Sequence, residues 1–451
     1  MLLVSTYELG HQPLHAASPA GALRAAGHDV RCVDTSVEPW SSAPIDWAEA
    51  VAFSVPMHTA MRLGLKAAES LRARRPELPV CFYGLYAPVS KDLTLGYLAD
   101  RIIAGEYEAG LSDWLDELAG VSRGASAEPP PIRLGHDAFV TPARDLLPPL
   151  DRYARLAVDG ERRLAGYVEA SHGCAHECRH CPIPAIYGGR IRLVSSAVVL
   201  DDIAQLVDMG ARHITFGDPD WLNGWKHSLQ VVREMHRRWP AITFDCTTKV
   251  EHVLRHARLW PELAAAGCAF VVSAVECVND DILAKLDKGH TAAQASEAIG
   301  VLREAGVEMR PSFMPFTPWT TPQDVLDILH FVVAHDLLAN VDPVQYTIRL
   351  LVPEGSLMLQ LEELQTHLAG YDAERLTYTW HSADPSSDEL QVRLAALVEN
   401  GIEADEPAGA AFLKIHALVA EAAGTEGAIR RELVAAGSVE GRPRLTEPWF
   451  C

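Results

Sequence analysis

Cys174, Cys178 and Cys181 stand at i, i+4 and i+7 of one short stretch, Gly173-Cys-Ala-His-Glu-Cys-Arg-His-Cys181, in a chain of 451 residues with nine cysteines. Thiolates at that spacing converge from a single loop and can hold three irons of a four-iron cluster. The fourth iron is then left without a protein ligand, open for chemistry. The same donors suit a structural zinc, with His176 or His180 as fourth ligand. Such zinc sites usually draw two ligands from each of two knuckles, and no second Cys-x2-Cys pair follows. Iron is the better reading of the two.

The Cys-x3-Cys-x2-Cys pattern, just after the strand-like Gly166-Tyr-Val-Glu-Ala170, resembles that of the radical S-adenosylmethionine (SAM) superfamily. In that superfamily the residue before the last cysteine is usually aromatic; here it is His180, whose imidazole can still pack over a cluster. The resemblance implies a [4Fe-4S] cluster on Cys174, Cys178 and Cys181, SAM on its open iron, a small-molecule substrate and an external one-electron reductant of the flavodoxin or ferredoxin type.

Composition narrows the partners. The formal charge is -21 and the pI near 5.3, with no Lys/Arg cluster interleaved with aromatics, which argues against nucleic acid. No apolar run approaches the ~18 residues that cross a bilayer, so no membrane partner is expected. Met1-Leu-Leu-Val-Ser-Thr6 reads as a strand without the basic flank of a secretory leader, so the expected location is the cytoplasm, whose reducing conditions suit iron and sulfur.

The elements that would position the cysteines fall into an α/β plan. Residues 1–120 alternate strand and helix signals: strands at Leu2–Val4, Asp29–Val33, Ala50–Pro56, Pro79–Gly84 and Arg101–Ala104, with helices at Pro19–Gly27 and Met61–Arg75 between them. This doubly wound, Rossmann-like domain, placed ahead of the cysteine motif, resembles the cobalamin-binding domain of cobalamin-dependent radical SAM proteins, with Gly105-Glu106 echoing its closing turn. Asp-x-His-x-x-Gly, which supplies an imidazole to cobalt in some cobalamin proteins, is absent, so cobalamin would bind without a histidine ligand. The alternative is a degenerate domain used for packing or substrate capture. His11, His15 and His58, at strand-end loops, could line a crevice there. Residues 121–160, rich in Pro, Gly and Ser, read as a linker.

From 161 to 356 amphipathic helices ending in Met-Gly or Ala-Gly lead repeatedly into short β-rich runs. The pattern predicts a partial (β/α)6 barrel with strands at Gly166–Ala170, His213–Phe216, Ile242–Asp245, Cys268–Val275, Val307–Phe313 and Val344–Leu351, and chemistry at their C-terminal ends. Gly217-Asp218-Pro219 resembles the superfamily's Gly-Gly-Glu-Pro turn, which implies contact with the SAM ammonium. Glu276 suits a ribose hydroxyl, and Arg349 the SAM carboxylate or a substrate acid. Lys249, Cys277 and Arg349 are the catalytic candidates. Lys288-Gly289-His290 reads as a structural helix end, and Cys246, Cys268 and Cys277 as buried small hydrophobes.

Residues 357–451 read as a small helical C-terminal region and tail, with helices at Asp388–Asn400 and Ala408–Ala423. The end, Arg444-Leu-Thr-Glu-Pro-Trp-Phe-Cys451, together with Phe216-Gly-Asp-Pro-Asp220 and Phe316-Thr-Pro-Trp319, resembles a radical SAM (seleno)protein family with a Cys-Cys or Cys-Sec-Ala-Glu-Pro tail. A selenocysteine codon read as a stop would give such an ending. The functional expectation is reductive cleavage of SAM to start radical chemistry, with cobalamin-assisted methyl transfer if the front domain holds cobalamin. Aminocarboxypropyl transfer to a soft acceptor such as trivalent arsenic is one alternative. A non-catalytic iron-sulfur or cofactor-binding protein is another.

Overall fold

Short, wholly apolar runs such as Leu2-Leu-Val4 are stable as strands only where both faces of a sheet are covered. The computed structural model, which describes residues 1–89, 91–121, 131–135, 138–404, 406–425 and 442–447, places them so. β1 (Leu2–Ser5), β2 (Arg31–Asp34), β3 (Val51–Ser54), β4 (Val80–Tyr83), β5 (Arg101–Gly105) and β6 (Ile132–Arg133) form an all-parallel sheet ordered β2-β1-β3-β4-β5-β6. A separate apolar core covers each face. The order reverses between β1 and β3, and the loops leaving their C-terminal ends diverge there to open a crevice.

The second sheet begins earlier than its first parallel strand. β7 (Arg155–Val158) pairs antiparallel with β8 (Glu161–Val168) as a hairpin. β9 (Ser171–Gly173) and β10 (Ile191–Leu193) make a small antiparallel ribbon. β11 (His213–Phe216), β12 (Thr243–Thr247), β13 (Cys268–Glu276) and β14 (Glu308–Phe313) continue the parallel series from β8 around the largest core. The helices between them start on sequence-encoded caps: Thr291 with Gln294 and Thr321 with Asp324 both close capping boxes.

Two expectations are corrected here. Val344–Leu351 is not a sixth strand: Pro343–Thr347 winds into a 3₁₀ turn, and only Arg349 reaches Phe316 in an isolated bridge. Pro343 has no N–H for a ladder, and the Gln345 side chain turns inward to accept the Phe313 N–H at 3.0 Å. Nor is the C-terminal region all helical. β15 (Leu368–Asp372) and β16 (Thr377–Trp380) form a hairpin ahead of the helices Pro385–Glu403 and Ala408–Ala422, with Tyr371 packed across the strands on Tyr378. Finally β17 (Arg444–Leu445) adds to β7, so the second sheet runs β14-β13-β12-β11-β8-β7-β17. Cys451 lies outside the described residues.

The stretch expected as linker contributes β6 to one sheet, β7 to the other and a clamp between them. Arg144 is fully buried and donates twice to Asp202, at 2.8 Å each, from within the barrel helix Ser196–Asp208. It also donates to the Gln12 carbonyl of the front domain and the Tyr167 carbonyl of β8. Removing one partner of a buried ion pair leaves an uncompensated charge. Arg144→Met is therefore expected to cost about 3–5 kcal/mol in urea unfolding, and Arg144→Met/Asp202→Leu to recover most of that loss.

Candidate active site

Beyond β8 the chain turns through Glu169 and Ala170 into the β9-β10 ribbon, which frames the cysteine loop. Gly173 sits at φ +73, and a Cβ there would strike the Arg190 carbonyl at 2.4 Å and the Tyr187 ring at 2.6 Å, so the turn into Cys174 requires glycine. Asp218 lies beneath, accepting the Ser171 hydroxyl at 2.5 Å and the Ala170 N–H at 3.0 Å, with burial pushing its pKa up to about 7. On the far side Arg179 fastens the loop to the C-terminus of the helix Asp280–Leu286. Its N–H donates to the Leu286 carbonyl and its guanidinium to the Lys285 carbonyl at 2.9 Å.

The three thiols are free, and two neighbours point donors at their sulfurs: Asn223 Nδ2 at 3.4 Å from Cys174 and Lys249 Nζ at 3.5 Å from Cys178. Burial pushes the Cys181 thiol up to about 12, so metal capture must expel its proton. Such a set fits an anionic iron-sulfur cluster: three sulfurs on one loop, with N–H donors and cations around them.

A third polar group borders the loop. β13 slips register between Ala274 and Glu276, and Glu276 takes φ +65, a backbone state that costs a non-glycine residue roughly 1–2 kcal/mol. The bulge aims its carboxylate at Lys288 Nζ, 3.0 Å away, and His180 Nε2, 3.1 Å away. Burial alone would raise the Glu276 pKa, but Lys288 and then His180 hold it below the carboxylate range. The structural helix end read from Lys288-Gly289-His290 thus also delivers a buried cation to the cysteine loop.

Two cavities with shared lining lie near this loop. One lies where the C-terminal edges of the two sheets face each other, between Pro56, Gly84 and Gly105 of the front domain and Tyr167, Glu169 and Gly217 of the second. The other runs into the barrel past His11, Asp245 and Arg310; Leu9, Tyr167 and Gly217 line both. A chain of buried charges crosses the first cavity's wall. Glu106 contacts His172 at 3.2 Å, His172 contacts Glu169 at 3.4 Å, Glu169 contacts His15 at 3.3 Å, and His15 Nδ1 meets the Tyr107 hydroxyl at 2.7 Å. Burial alone would strip both imidazoles of their protons. The Glu106 and Glu169 carboxylates hold His172 up to about 10, and Glu169 with Glu8 holds His15 up to about 9.

Of the residues singled out in the sequence, Cys174, Cys178, Cys181 and Lys249 come together, Glu276 joins them through His180, and Gly217 and Pro219 line the cleft. Gly217 must be glycine, since a Cβ would sit 1.9 Å from the Tyr167 hydroxyl. Asp218 instead supports the loop from below. Arg349 is committed elsewhere: it pairs with Asp388 at 2.7 Å and stacks on Trp380 at 3.5 Å, tying down the C-terminal region. Cys277 lines neither cavity; its Sγ lies 3.6 Å from the Asn279 carbonyl. Cys246 and Cys268 are buried in the barrel core. Among the three histidines, His15 lines the cleft and His11 the inner cavity, whereas His58 bonds the Arg375 carbonyl at 2.6 Å. Glu169, His172, Arg179 and Lys288 escaped the sequence reading. The available signal was local: Glu169-Ala-Ser-His172 places two titratable groups between a strand end and the first cysteine.

The radical SAM superfamily matches residues 168–332. Hopanoid C-3 methylase of Methylococcus capsulatus is 26% identical over 328 residues, 68% of this chain and 62% of the relative. Bacteriochlorophyllide d C-8(2)-methyltransferase of Chlorobaculum tepidum is 24% identical over 52% of each chain. The chain thus spans less than two thirds of the length of these curated relatives. Among solved structures, the cobalamin-dependent SAM radical enzyme OxsB, with aqua-cobalamin and SAM bound, superposes with TM-score 0.70 at 14% identity, over 89% of this chain and 66% of that one. The radical SAM methyltransferase TsrM of Kitasatospora setae, with cobalamin and a [4Fe-4S] cluster, gives 0.57 at 18% identity, over 74% and 73%. At such identities the two structures establish the fold, in which a Rossmann-like sheet precedes a partial barrel.

Two outcomes follow from the site's charges. Lys288→Met strands the Glu276 carboxylate and is expected to cost roughly 3–5 kcal/mol in urea unfolding, with lower iron retention after reconstitution. His15 and His172 have folded pKa values above the ordinary 6.5. Their stabilisation is therefore full below pH 6.5 and disappears as pH rises through about 9 to about 10. Stability should fall over that window by up to about 1.4 kcal/mol per pH unit for each group. His15→Gln/His172→Gln should be less stable at pH 6.5 and show a flatter slope; an unchanged slope would contradict the assignment.

Proposed function

We propose, from the match of residues 168–332 to the radical SAM superfamily, that this protein is a cobalamin-assisted radical SAM methyltransferase acting on a small-molecule substrate. The observation that carries this reading is the single cleft walled by the C-terminal edges of both sheets, with the cysteine loop at its margin. The relatives, a methylase and a methyltransferase, and the two superposed cobalamin-bound structures support it.

A reduced cluster supplies the electron that cleaves the SAM sulfonium, and cobalamin supplies a carrier for the methyl group. Cys174, Cys178 and Cys181 would hold the cluster, with Lys249 and Lys288 offsetting its negative charge. Gly217 and Pro219 would border the amino-acid end of SAM, and Glu276, fixed by Lys288 and His180, would serve the ribose. Pro56, Met57, Gly84, Leu85 and Gly105 present a low, mostly apolar shelf that fits a broad macrocycle. His11 lies tilted against Tyr167 and lines the inner cavity, His15 has both ring nitrogens engaged and His58 bonds Arg375, so the corrinoid would bind without a protein imidazole. The shared Tyr167 and Gly217 leave the substrate a route from shelf to barrel interior. Among the described residues no helix is long and apolar enough to cross a membrane. We place the enzyme in the cytoplasm, served by a flavodoxin- or ferredoxin-type reductant.

The test is anaerobic reconstitution with iron, sulfide and hydroxocobalamin, then reduction by dithionite with SAM. Cobalamin should survive desalting, and 5′-deoxyadenosine should form and vanish in Cys178→Ala. Methylthioadenosine in its place, or failure to retain cobalamin, would overturn the proposal.

A further inference from the structure

His176 lies inside the cysteine loop, yet its imidazole turns away from the thiols toward two other elements. Its Nε2 is 3.2 Å from Asp220 Oδ2, and the same oxygen is 2.8 Å from His252 Nδ1. The three atoms lie within 4.8 Å of one another, and none is aligned with a hydrogen-bond partner. Asp220 is buried, with 1% of its surface exposed, and its other oxygen accepts the Thr248 hydroxyl at 2.6 Å. A buried carboxylate oxygen and two imidazole nitrogens thus converge on one point, with His252 Nδ1 nearer to the oxygen than His176 Nε2.

We propose that His176, Asp220 and His252 form a second metal site, for a zinc-type divalent cation, separate from the three cysteines. Zinc takes two imidazoles and a carboxylate at about 2.0–2.2 Å, so its tetrahedral ligands stand about 3.3 Å apart. The contacts of 3.2 and 2.8 Å need to open only slightly to admit it. The fourth position is left for water. Thr248 fixes the Asp220 carboxylate in the way that outer hydrogen bonds orient metal ligands. Nitrogen and oxygen donors without sulfur match zinc and disfavour the thiol-loving metals.

One contact opposes the site and sets its consequence. Arg255 Nη1 lies 3.2 Å from His252 Nε2, which must carry the imidazole proton once Nδ1 binds metal. The Arg255 side chain is 56% exposed and also pairs with Glu251, so it can leave His252 without being stranded. The metal would join the middle of the cysteine loop to the turn after β11 and to the helix Val250–Arg255. Downstream of the cysteines His252 and His256 form a His-x3-His pair, of which only His252 joins this cluster. The site does not depend on the methyltransferase reading.

The cysteine-free loop provides the test. Cys174→Ser/Cys178→Ser/Cys181→Ser protein, given Zn²⁺ and desalted, should retain a single zinc per chain by mass spectrometry of the metal. Adding Asp220→Asn should weaken zinc binding by roughly 100-fold or more. Should the cysteine variant fail to fold, the same question is put to the wild-type chain carrying its iron-sulfur cluster. Zinc-edge absorption should then show nitrogen and oxygen neighbours only, and Asp220→Asn should lose the zinc while keeping its iron. Zinc with sulfur neighbours, or no zinc in either protein, would overturn the proposal and leave a metal-free contact cluster at Asp220.

Discussion

Two carboxylates and two imidazoles lie buried where the sheets meet, and they can remain there only as mutual counterions. An isolated buried charge costs several kcal/mol, more than the packing around it returns. Glu106 and His15 come from the front domain and Glu169 and His172 from the second; His172 meets Glu169 within its own domain, and the Glu106–His172 and Glu169–His15 pairs cross the seam. Closing the seam forms the two crossing pairs, and separating the domains would break them. The cleft width follows from this, because both of its walls are tied to the same chain of contacts. Arg144 adds a second tie, joining the barrel helix, β8 and the loop after β1.

The cysteine loop obeys the same rule on a smaller scale. It carries three groups that become anions on binding metal, and the fold surrounds them with donors already held in place. Lys288 is buried against Glu276, Lys249 reaches Cys178, and Asn223 reaches Cys174. The positive φ at Glu276 is local strain accepted to aim one carboxylate, and the β13 bulge is the device that aims it. The loop's position is fixed by contacts that never touch its sulfurs: Asp218 under Ser171, Arg179 on a helix end, and the obligatory Gly173.

Patterns confined to one short stretch were legible in the chain. The cysteine spacing, the apolar runs of the front sheet and the Ala-Gly helix ends each express a local geometric requirement. The missing sixth strand shows where that breaks down: Val344–Leu351 has strand composition, but its backbone meets the barrel only in the isolated Phe316–Arg349 bridge, and Pro343 starts a turn. Arg349 at a strand end suggested an acid-binding role, yet a distant tryptophan and Asp388 claim it. Lys288 was taken for a helix terminus because its carboxylate partner lies on another strand.

The sequence by itself determined the cysteine loop, the alternation of strands and helices and the placement of a doubly wound domain ahead of a barrel. These rest on spacing and periodicity, which act over a few residues. Only the tertiary structure decided which charges neutralise one another. The pairs that matter join residues 66 apart, as Glu106 and His172 do, or 58 apart, as Arg144 and Asp202 do. Electrostatic pairing depends on distance in space and on the exclusion of water, and neither is written in the order of the residues.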